Sequence, residues 1–268
     1  MMKRPEHQAR MRHHFRGVPL WAPLLSGICF VFVLMTAPTV ASQVQMGVDV
    51  FLSSYTHLVK DARVGLITNK TGRTMTGAST VDALSRHPNV NLVALFAPEH
   101  GIEGQIEAGK HVGDSRLGNL PVFSLYGGGS KRPKKAALDQ VDVMVYDIQD
   151  VGSRAYTFIW SLAEVMAAAA EYDKRVIVLD RPNPLGGLTV DGPVSEEKWL
   201  SFIGLYPIPR VYGLTVGELA WYLNREHGIG CTLTVVPMDG YRRNMRCGFD
   251  LGLSGYFSCR SGGFHCQI

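Results

Sequence analysis

The sequence predicts an α/β protein with a Rossmann-like parallel sheet and helices on both faces. Short, almost continuously apolar segments recur along the chain, for example at residues 64–68, 91–96 and 175–179. Such segments are typical of strands that are buried on both sides. Segments with helical periodicity lie between them, and this alternation is typical of parallel sheets. The length of 268 residues suits one large domain or two small ones.

The boundaries of the elements follow from local signals. Ser79 is a candidate helix cap, and Pro88 ends that helix. Pro98 ends a strand, because proline cannot donate within a central ladder. Residues 186–205 lack periodicity and predict a surface loop. We predict strands at residues 64–68, 91–96, 121–125, 141–146, 175–179 and 232–236, and helices at residues 80–86, 133–140, 157–172 and 215–226.

Residues 1–42 have the pattern of a secretory signal peptide. A basic start precedes an apolar run at residues 18–35, and small residues follow at 39–42. A permanent anchoring helix is the alternative, because the run lies near the lower length limit for a membrane span. We expect a secreted or periplasmic protein that begins near Gln43 and has no stable membrane insertion after cleavage.

The charge distribution and the cysteine positions argue against a nucleic-acid-binding protein, a disulfide-stabilised protein and a zinc-binding protein. The net charge is +4, with much of the basic excess before the apolar run, and no later stretch interleaves basic and aromatic residues. We therefore expect no nucleic-acid partner. Between residues 43 and 241 the only cysteine is Cys231, so the body of the protein does not depend on disulfides. The cysteines after residue 246 lack a zinc-site spacing.

Polar residues follow the predicted strands at the points where the strands end. In open parallel sheets, ligands bind outside the carboxyl ends of the strands. We therefore expect these side chains to line one crevice. They are Asn69, Glu99 with His100, Tyr126, Asp147 with Asp150, and Asp180 with Asn183.

Glu99 and His100 are the candidate catalytic residues. Two carboxylates that converge on one crevice suit cleavage of a glycosidic bond. Phe96, Pro98 and Ile102 are expected to desolvate Glu99 and to raise its pKa, which would make it a general acid. His100 can tune Glu99, bind the substrate or orient the turn. The alternative is a surface loop with solvated charges.

Residues 147–156 form a second dense stretch of hydrogen-bonding groups, which includes Arg154 and Tyr156. Arg154 can hold a substrate carboxylate in a bidentate fork. The alternative is an internal Asp–Arg pair that braces the loop. Asn183 lies in a proline-flanked turn, where it can bind an amide or hydroxyl of the substrate or serve the turn alone.

The sequence lacks the motifs that are typical of phosphate binding, serine-nucleophile hydrolysis and metal binding. Residues 127–131 contain three glycines before Ser-Lys but do not have the spacing of a phosphate-binding loop. A Gly-x-Ser-x-Gly nucleophile elbow is absent from the sequence. His100, His111, Asp147 and Asp150 are possible metal ligands, but no metal-binding motif contains them. We predict neither a metal nor a cofactor.

Several motifs occur in an order that resembles one family. They are GVD at 47–49, GLITN at 65–69, APEHGI-x-G at 97–104, YDIQDVG-x-R-x-YT at 146–157 and LDRPNP at 179–184. Together they resemble the exo-β-N-acetylmuramidases of the NamZ type, glycoside hydrolase family 171. The resemblance runs from about Gly47 to about Arg243.

The resemblance implies hydrolysis of terminal N-acetylmuramic acid (MurNAc) from the non-reducing ends of peptidoglycan fragments, in cell-wall turnover or recycling. It implies a Rossmann-like catalytic domain at residues 43–205, and the start of a smaller α/β C-terminal domain at residues 206–243. It implies no cofactor, and it places the family's catalytic glutamate at Glu99. The partners would be peptidoglycan-derived saccharides or muropeptides. Our own inference is that Arg154 binds the lactyl carboxylate of MurNAc.

The chain departs from the family pattern at two places. Glu103 stands where the family often has arginine, which changes the charge near Glu99. Residues 244–268 are cysteine-rich and resemble a frameshifted or truncated end, which would remove most of the C-terminal domain and, with it, one wall of the cleft between the two domains. One alternative function is a cell-wall amidase or esterase. The other, which follows from the truncation, is a non-catalytic peptidoglycan-binding remnant.

Overall fold

A computed structural model of the protein describes residues 44–107, 109–126 and 131–245. The predicted signal peptide and residues 246–268 of the predicted atypical tail lie outside the described residues. Within these ranges, seven strands form one sheet in the order β3-β4-β2-β1-β5-β6-β7. The strands are β1 Arg63–Thr68, β2 Asn91–Ala97, β3 Ser115–Leu117, β4 Leu120–Ser124, β5 Val143–Asp147, β6 Arg175–Leu179 and β7 Thr232–Val236.

All neighbouring strands pair in parallel except β3, which pairs antiparallel with β4 at the edge of the sheet. The helices are α1 Gly47–Val50, α2 Thr80–Arg86, α3 Lys135–Leu138, α4 Phe158–Glu171 and α5 Val216–Glu226. The chain continues from α1 through a π-helical turn, Phe51–Tyr55, and a 3-10 turn, Thr56–Val59. A further 3-10 turn, Glu197–Trp199, lies within the predicted loop.

Two apolar cores lie on opposite faces of the sheet. Leu66 and Leu84 belong to the core under α1 and α2, whereas Ile67 and Leu162 belong to the core under α3, α4 and α5. Leu66 and Ile67 are neighbours on β1, so the two cores follow from the alternation of side chains along a strand. This arrangement confirms the predicted fold class of a Rossmann-like sheet covered by helices on both faces.

Two of the described helices begin with a side-chain cap, and the sequence indicated the first of them, Ser79. The Ser79 side chain accepts a hydrogen bond from the backbone N–H of Asp82, 3.0 Å away, at the start of α2. Thr215 and Glu218 form a reciprocal capping box at the start of α5. Each such cap contributes about 1 kcal/mol to stability. The predicted helix at 80–86 and the predicted strands at 175–179 and 232–236 have the observed bounds.

The edge strand β3 and the helical segment from Gly47 to Val59 were not among the predicted elements. All three residues of β3 are exposed, so the segment carries no apolar pattern, and its pairing depends on the neighbouring strand β4. The predicted helix at 133–140 was too long, since only Lys135–Leu138 is helical.

Residues from 206–243, which we expected to open a second domain, contribute α5 and β7. The strand β7 pairs with β6 in parallel over five positions, from Thr232 to Val236. The same sheet therefore continues past residue 205, and the place where a second domain begins stays a prediction. None of the helices in the described ranges has the length and apolar character that a membrane span requires.

Candidate active site

Glu99 lies immediately beyond the carboxyl end of β2, in a sharply turned loop. The next two residues, His100 and Gly101, have backbone φ angles of 72° and 75°. This left-handed conformation is uncommon for a residue other than glycine. It is held by a hydrogen bond of 2.7 Å from His100 Nδ1 to the carbonyl oxygen of Ile106. The turn leaves Glu99 only 7% exposed.

Hydrogen-bond donors from three parts of the chain converge on the Glu99 carboxylate. The backbone N–H of Gly109 donates to Oε1 at 2.9 Å, and the Thr157 hydroxyl donates to Oε2 at 2.5 Å. The Tyr126 hydroxyl donates a further hydrogen bond. Thr157 is the N-cap residue of α4, but its side chain makes no bond to the helix. The carboxylate therefore lies at a helix N-terminus, where the helix dipole favours an anion.

The expectation that Glu99 has a raised pKa is wrong. Burial does raise its pKa and is the largest single influence. The hydrogen bonds from Thr157, Gly109 and Tyr126, together with the charge of His100, outweigh that influence and hold the pKa below its ordinary value. Each of these groups stabilises the ionised form. A lowered pKa favours the carboxylate anion of Glu99 over the protonated form that a general acid needs.

Tyr126 and Lys131 form the side of the site that faces Glu99. Burial and then the negative charge of Glu99 raise the pKa of Tyr126 to about 12, so the phenol keeps its proton. The Lys131 ammonium lies 3.1 Å from the centroid of the Tyr126 ring. Phe202 packs edge-on against Tyr126 at a centroid distance of 5.6 Å. The site therefore combines an anion, a cation and two aromatic rings.

His100 contributes one ring nitrogen to this site. A carbonyl oxygen can only accept, so Nδ1 must be the donor to Ile106, and Nε2 is left as the nitrogen that can exchange a proton. The ring lies edge-on to Phe158, the first residue of α4, at 6.5 Å between centroids. His100 therefore orients the backbone through Nδ1. Its Nε2 is free of that bond, and the acid–base role that the sequence indicates stays a prediction.

Asp147 is fully buried and engaged within the protein. Arg181 donates from Nε to Oδ1 at 2.6 Å and from Nη2 to Oδ2 at 2.8 Å, and the Thr80 hydroxyl also donates to Oδ2. This bidentate ion pair joins the end of β5 to the end of β6 and to the start of α2. The geometry gives Asp147 a structural task, and its expected role in substrate binding has no support from these contacts.

Asp150, Asn183 and Asn69 also hold loops. Asp150 Oδ2 accepts from Gly152 N at 2.7 Å and from the Tyr212 hydroxyl, and burial raises the pKa of this carboxyl. Asn183 donates to the carbonyl oxygen of Leu214. Asn69 Oδ1 accepts from the backbone and side chain of Thr71. The substrate-binding roles expected for these three residues stay predictions.

Arg154 braces a loop through backbone carbonyls rather than through an aspartate. Its Nη1 donates to Pro193 O at 2.8 Å and to Ile208 O at 2.5 Å. These bonds fix both ends of the segment that carries Phe202. Tyr156 is 46% exposed, so its ring remains available at the surface.

Glu103 is not among the groups that donate to Glu99 or shift its pKa. It is exposed and lines a separate cleft of about 710 Å³, together with Asn69, Lys70 and Arg73. The departure from the family pattern at Glu103 thus affects this second cleft. The described residues bring together no group of three or more histidine, cysteine or acidic side chains that could hold a metal ion.

Sequence reasoning missed two residues of the site. Thr157 is the first residue of the predicted helix at 157–172, a position that does not indicate a partner for Glu99. Lys131 follows the glycines that we considered only as a phosphate loop. Neither position carries a local signal for contact with a loop that is tens of residues away.

Comparison with known proteins defines the class to which this fold and site belong. The sequence model described as "Exo-beta-N-acetylmuramidase NamZ, N-terminal" matches residues 64–253, a range that includes Glu99, Tyr126, Lys131 and Thr157. The chain belongs to this NamZ family of exo-β-N-acetylmuramidases, as the resemblance predicted.

Comparison with individual relatives supports the family assignment. The chain is 47% identical over 206 residues to the peptidoglycan β-N-acetylmuramidase NamZ of Bacillus subtilis (strain 168), covering 76% of this chain and 49% of that protein. A crystal structure of a DUF1343 family protein from Bacteroides fragilis has a TM-score of 0.70 and 45% identity, over 76% of this chain and 52% of that one. A second has a TM-score of 0.64 and 36% identity, over 76% and 54%. The chain thus spans about half the length of these relatives.

Proposed function

We propose that this chain carries the catalytic carboxylate of an exo-acting β-N-acetylmuramidase, which hydrolyses terminal MurNAc from the non-reducing ends of peptidoglycan fragments. The observation that carries the proposal is Glu99, held at the strand ends by Gly109, Thr157 and Tyr126. The Bacillus subtilis relative is named for activity on peptidoglycan. Because the chain spans about half of that relative, its activity and substrates are proposals.

Glu99 acts from its ionised form. Glycoside hydrolysis passes through an oxocarbenium-like transition state, in which positive charge develops at the sugar carbon. A carboxylate that is already an anion stabilises this charge without a preceding proton transfer. The donors around Glu99 keep it in place and ionised, so they favour this role over the general-acid role that the sequence indicated.

His100 supplies the proton for the leaving oxygen in this proposal. Its Nδ1 is committed to Ile106 O, so Nε2 is the nitrogen that carries the exchangeable proton. A histidine in this state can protonate the departing alcohol as the glycosidic bond breaks. Water then adds to the sugar carbon, and the proton it loses returns the histidine to its starting form.

The activity is tested with a chromogenic β-MurNAc glycoside and the purified chain. We expect Glu99→Gln to lose activity by about 100-fold or more, the contribution of a group that stabilises charge in the transition state. The matched control is Glu103→Gln, which removes an exposed carboxylate in the separate cleft and should retain activity. Full activity in Glu99→Gln would refute the assignment of Glu99. With muropeptides as a second substrate, release of peptide or acyl groups without release of sugar would favour the amidase or esterase alternative.

We also propose that the protein is secreted or periplasmic. The basic start, apolar run and small residues of the N-terminal 42 positions support this proposal. N-terminal sequencing of protein recovered from a cell fractionation tests it. A mature terminus near Gln43 outside the cytoplasm is the expected result, and an intact N-terminus in the cytoplasm would contradict it.

A further inference from the structure

A partly buried cation stands beside the candidate catalytic carboxylate. Lys131 Nζ lies 3.1 Å from the centroid of the Tyr126 ring and 5.5 Å from that of Phe202. The hydroxyl of the same Tyr126 donates to Glu99. The ammonium lies over the face of the Tyr126 ring, the carboxylate lies at its hydroxyl, and the two charges are close enough for electrostatic attraction between them.

Lys131 differs from other lysines of the protein in its surroundings. Lys135 and Lys198 pair with exposed carboxylates at 2.8 Å. The contacts shown for Lys131 among the described residues are the faces of two rings, and these satisfy charge without using N–H donors. Burial lowers the pKa of Lys131, and only the charge of Glu99 opposes this effect. An anion bound here would accept hydrogen bonds from the N–H groups of the Lys131 ammonium.

The sugar of the proposed reaction carries such an anion. MurNAc differs from N-acetylglucosamine by a lactyl ether that ends in a carboxylate. A carboxylate brought close to ionised Glu99 meets repulsion between like charges, and a cation between them offsets that repulsion. Arg154, for which the sequence predicted this task, donates from Nη1 to the carbonyls of Pro193 and Ile208.

We propose that Lys131 binds the lactyl carboxylate of MurNAc and so selects this sugar against N-acetylglucosamine. The inference rests on the proposed function, because it assigns the specificity of the same site. Lys131 is a specificity residue here, while Arg154 positions the loop that carries Phe202.

The test is a binding measurement by calorimetry on the full chain, with free MurNAc and free N-acetylglucosamine as the two probes. We expect wild-type protein to prefer MurNAc by about 10- to 100-fold, the factor contributed by one hydrogen bond to a charged group. Lys131→Gln should lose this preference while its affinity for N-acetylglucosamine stays within about 2-fold. Lys131→Arg should retain the preference, because arginine also stacks on aromatic rings and binds carboxylates.

The control variant is Lys135→Gln, which removes a lysine whose side chain is 63% exposed and paired with Asp139. It should keep the preference for MurNAc. Equal loss of affinity for both sugars in Lys131→Gln would show a structural role and overturn the inference. Equal binding of the two sugars by wild-type protein, or binding of neither, would also overturn it.

Turnover of the chromogenic β-MurNAc glycoside, measured on the same samples, separates the two proposals. A Lys131-dependent preference without turnover would count against the proposed activity alone. Turnover with an unchanged preference in Lys131→Gln would count against the role of Lys131 alone.

Discussion

Replacement of Thr157 by valine is the sharpest probe of how the protein sets the charge of Glu99. Valine has the shape of threonine but lacks the hydroxyl that donates to Glu99 Oε2 at 2.5 Å. The Thr157 side chain makes no bond to α4, so the substitution removes no helix cap. The change therefore isolates one donor to the carboxylate.

The size of the effect follows from the strength of that bond. A hydrogen bond to a charged group contributes about 1.5–3 kcal/mol, and one pKa unit corresponds to about 1.4 kcal/mol. Burial, which raises the pKa of Glu99, would then be opposed only by the remaining groups. We expect the pKa of Glu99 to rise by about 1–2 units in Thr157→Val.

The assay is kcat/KM for the chromogenic β-MurNAc glycoside as a function of pH. The profile of kcat/KM reports the ionisation of the free enzyme. Because activity requires ionised Glu99, the acid limb of the profile should move to higher pH by the same 1–2 units, as an order-of-magnitude expectation. Thr157→Ser restores the hydroxyl and should restore the position of the limb.

The direction in which the acid limb moves in Thr157→Val tests whether the Thr157 hydroxyl stabilises the Glu99 anion. A limb at the wild-type position in Thr157→Val, or one displaced to lower pH, would refute the claim that Thr157 stabilises the Glu99 anion. Activity that instead rises as the pH falls through this range would refute the claim that Glu99 works as a carboxylate. An equal displacement in Thr157→Ser would mean that the hydroxyl is not responsible.

Three further predictions concern the buried groups that hold the strand ends. Burial raises the pKa of Asp180 to about 6, so the stability that this carboxyl contributes is full below about pH 3.8 and is lost as the pH rises through 6. The total loss is about 3 kcal/mol, of which about 1.4 kcal/mol falls between pH 5 and pH 8. Asp180→Asn should remove this difference in urea unfolding at the two pH values, and a difference that persists unchanged would contradict the prediction. Arg181→Met leaves the carboxylate of Asp147 buried without its ion pair. It should lower the free energy of unfolding by about 3–5 kcal/mol. A loss of less than about 1 kcal/mol would show that water replaces the arginine. Gly152→Ala places a methyl group 2.1 Å from Asn183 Oδ1, at a residue whose backbone φ is +79°. It should lower the midpoint of thermal unfolding by several degrees. An unchanged midpoint would mean that the turn adapts.

The sheet could be predicted from the sequence because its strands are buried on both faces. Each of β1, β5 and β6 is a compact apolar run with polar residues at its end, and that pattern is local. By contrast, β3 is entirely exposed, and it is a strand only because β4 offers it an edge. The helical segment from Gly47 to Val59 mixes helix types and lacks a single period.

The position of Glu99 could be predicted, but its charge state could not. A strand end followed by proline indicates where the loop begins, and the structure brings Glu99 and Tyr126 together as expected. The pKa depends on Thr157, which is 58 residues further along the chain. Apolar neighbours in the sequence indicated a raised pKa, whereas donors distant in the sequence lower it.

The same limit applies to the residues that were expected to bind substrate. Asp147 is paired with Arg181, 34 residues away, and Asn183 with the carbonyl of Leu214, 31 residues away. A polar residue at a strand end can serve the site or brace it. The choice depends on which distant partner the fold supplies, and the local pattern does not contain that information.

The central claim is that ionised Glu99 cleaves MurNAc from the non-reducing end of peptidoglycan fragments. The most direct measurement is mass spectrometry of the products from a disaccharide that ends in MurNAc, incubated with wild-type protein, Glu99→Gln and Glu103→Gln. We expect free MurNAc from wild-type protein and from Glu103→Gln, and none from Glu99→Gln. Release at the wild-type rate by Glu99→Gln, or an intact disaccharide after incubation with wild-type protein, would contradict it.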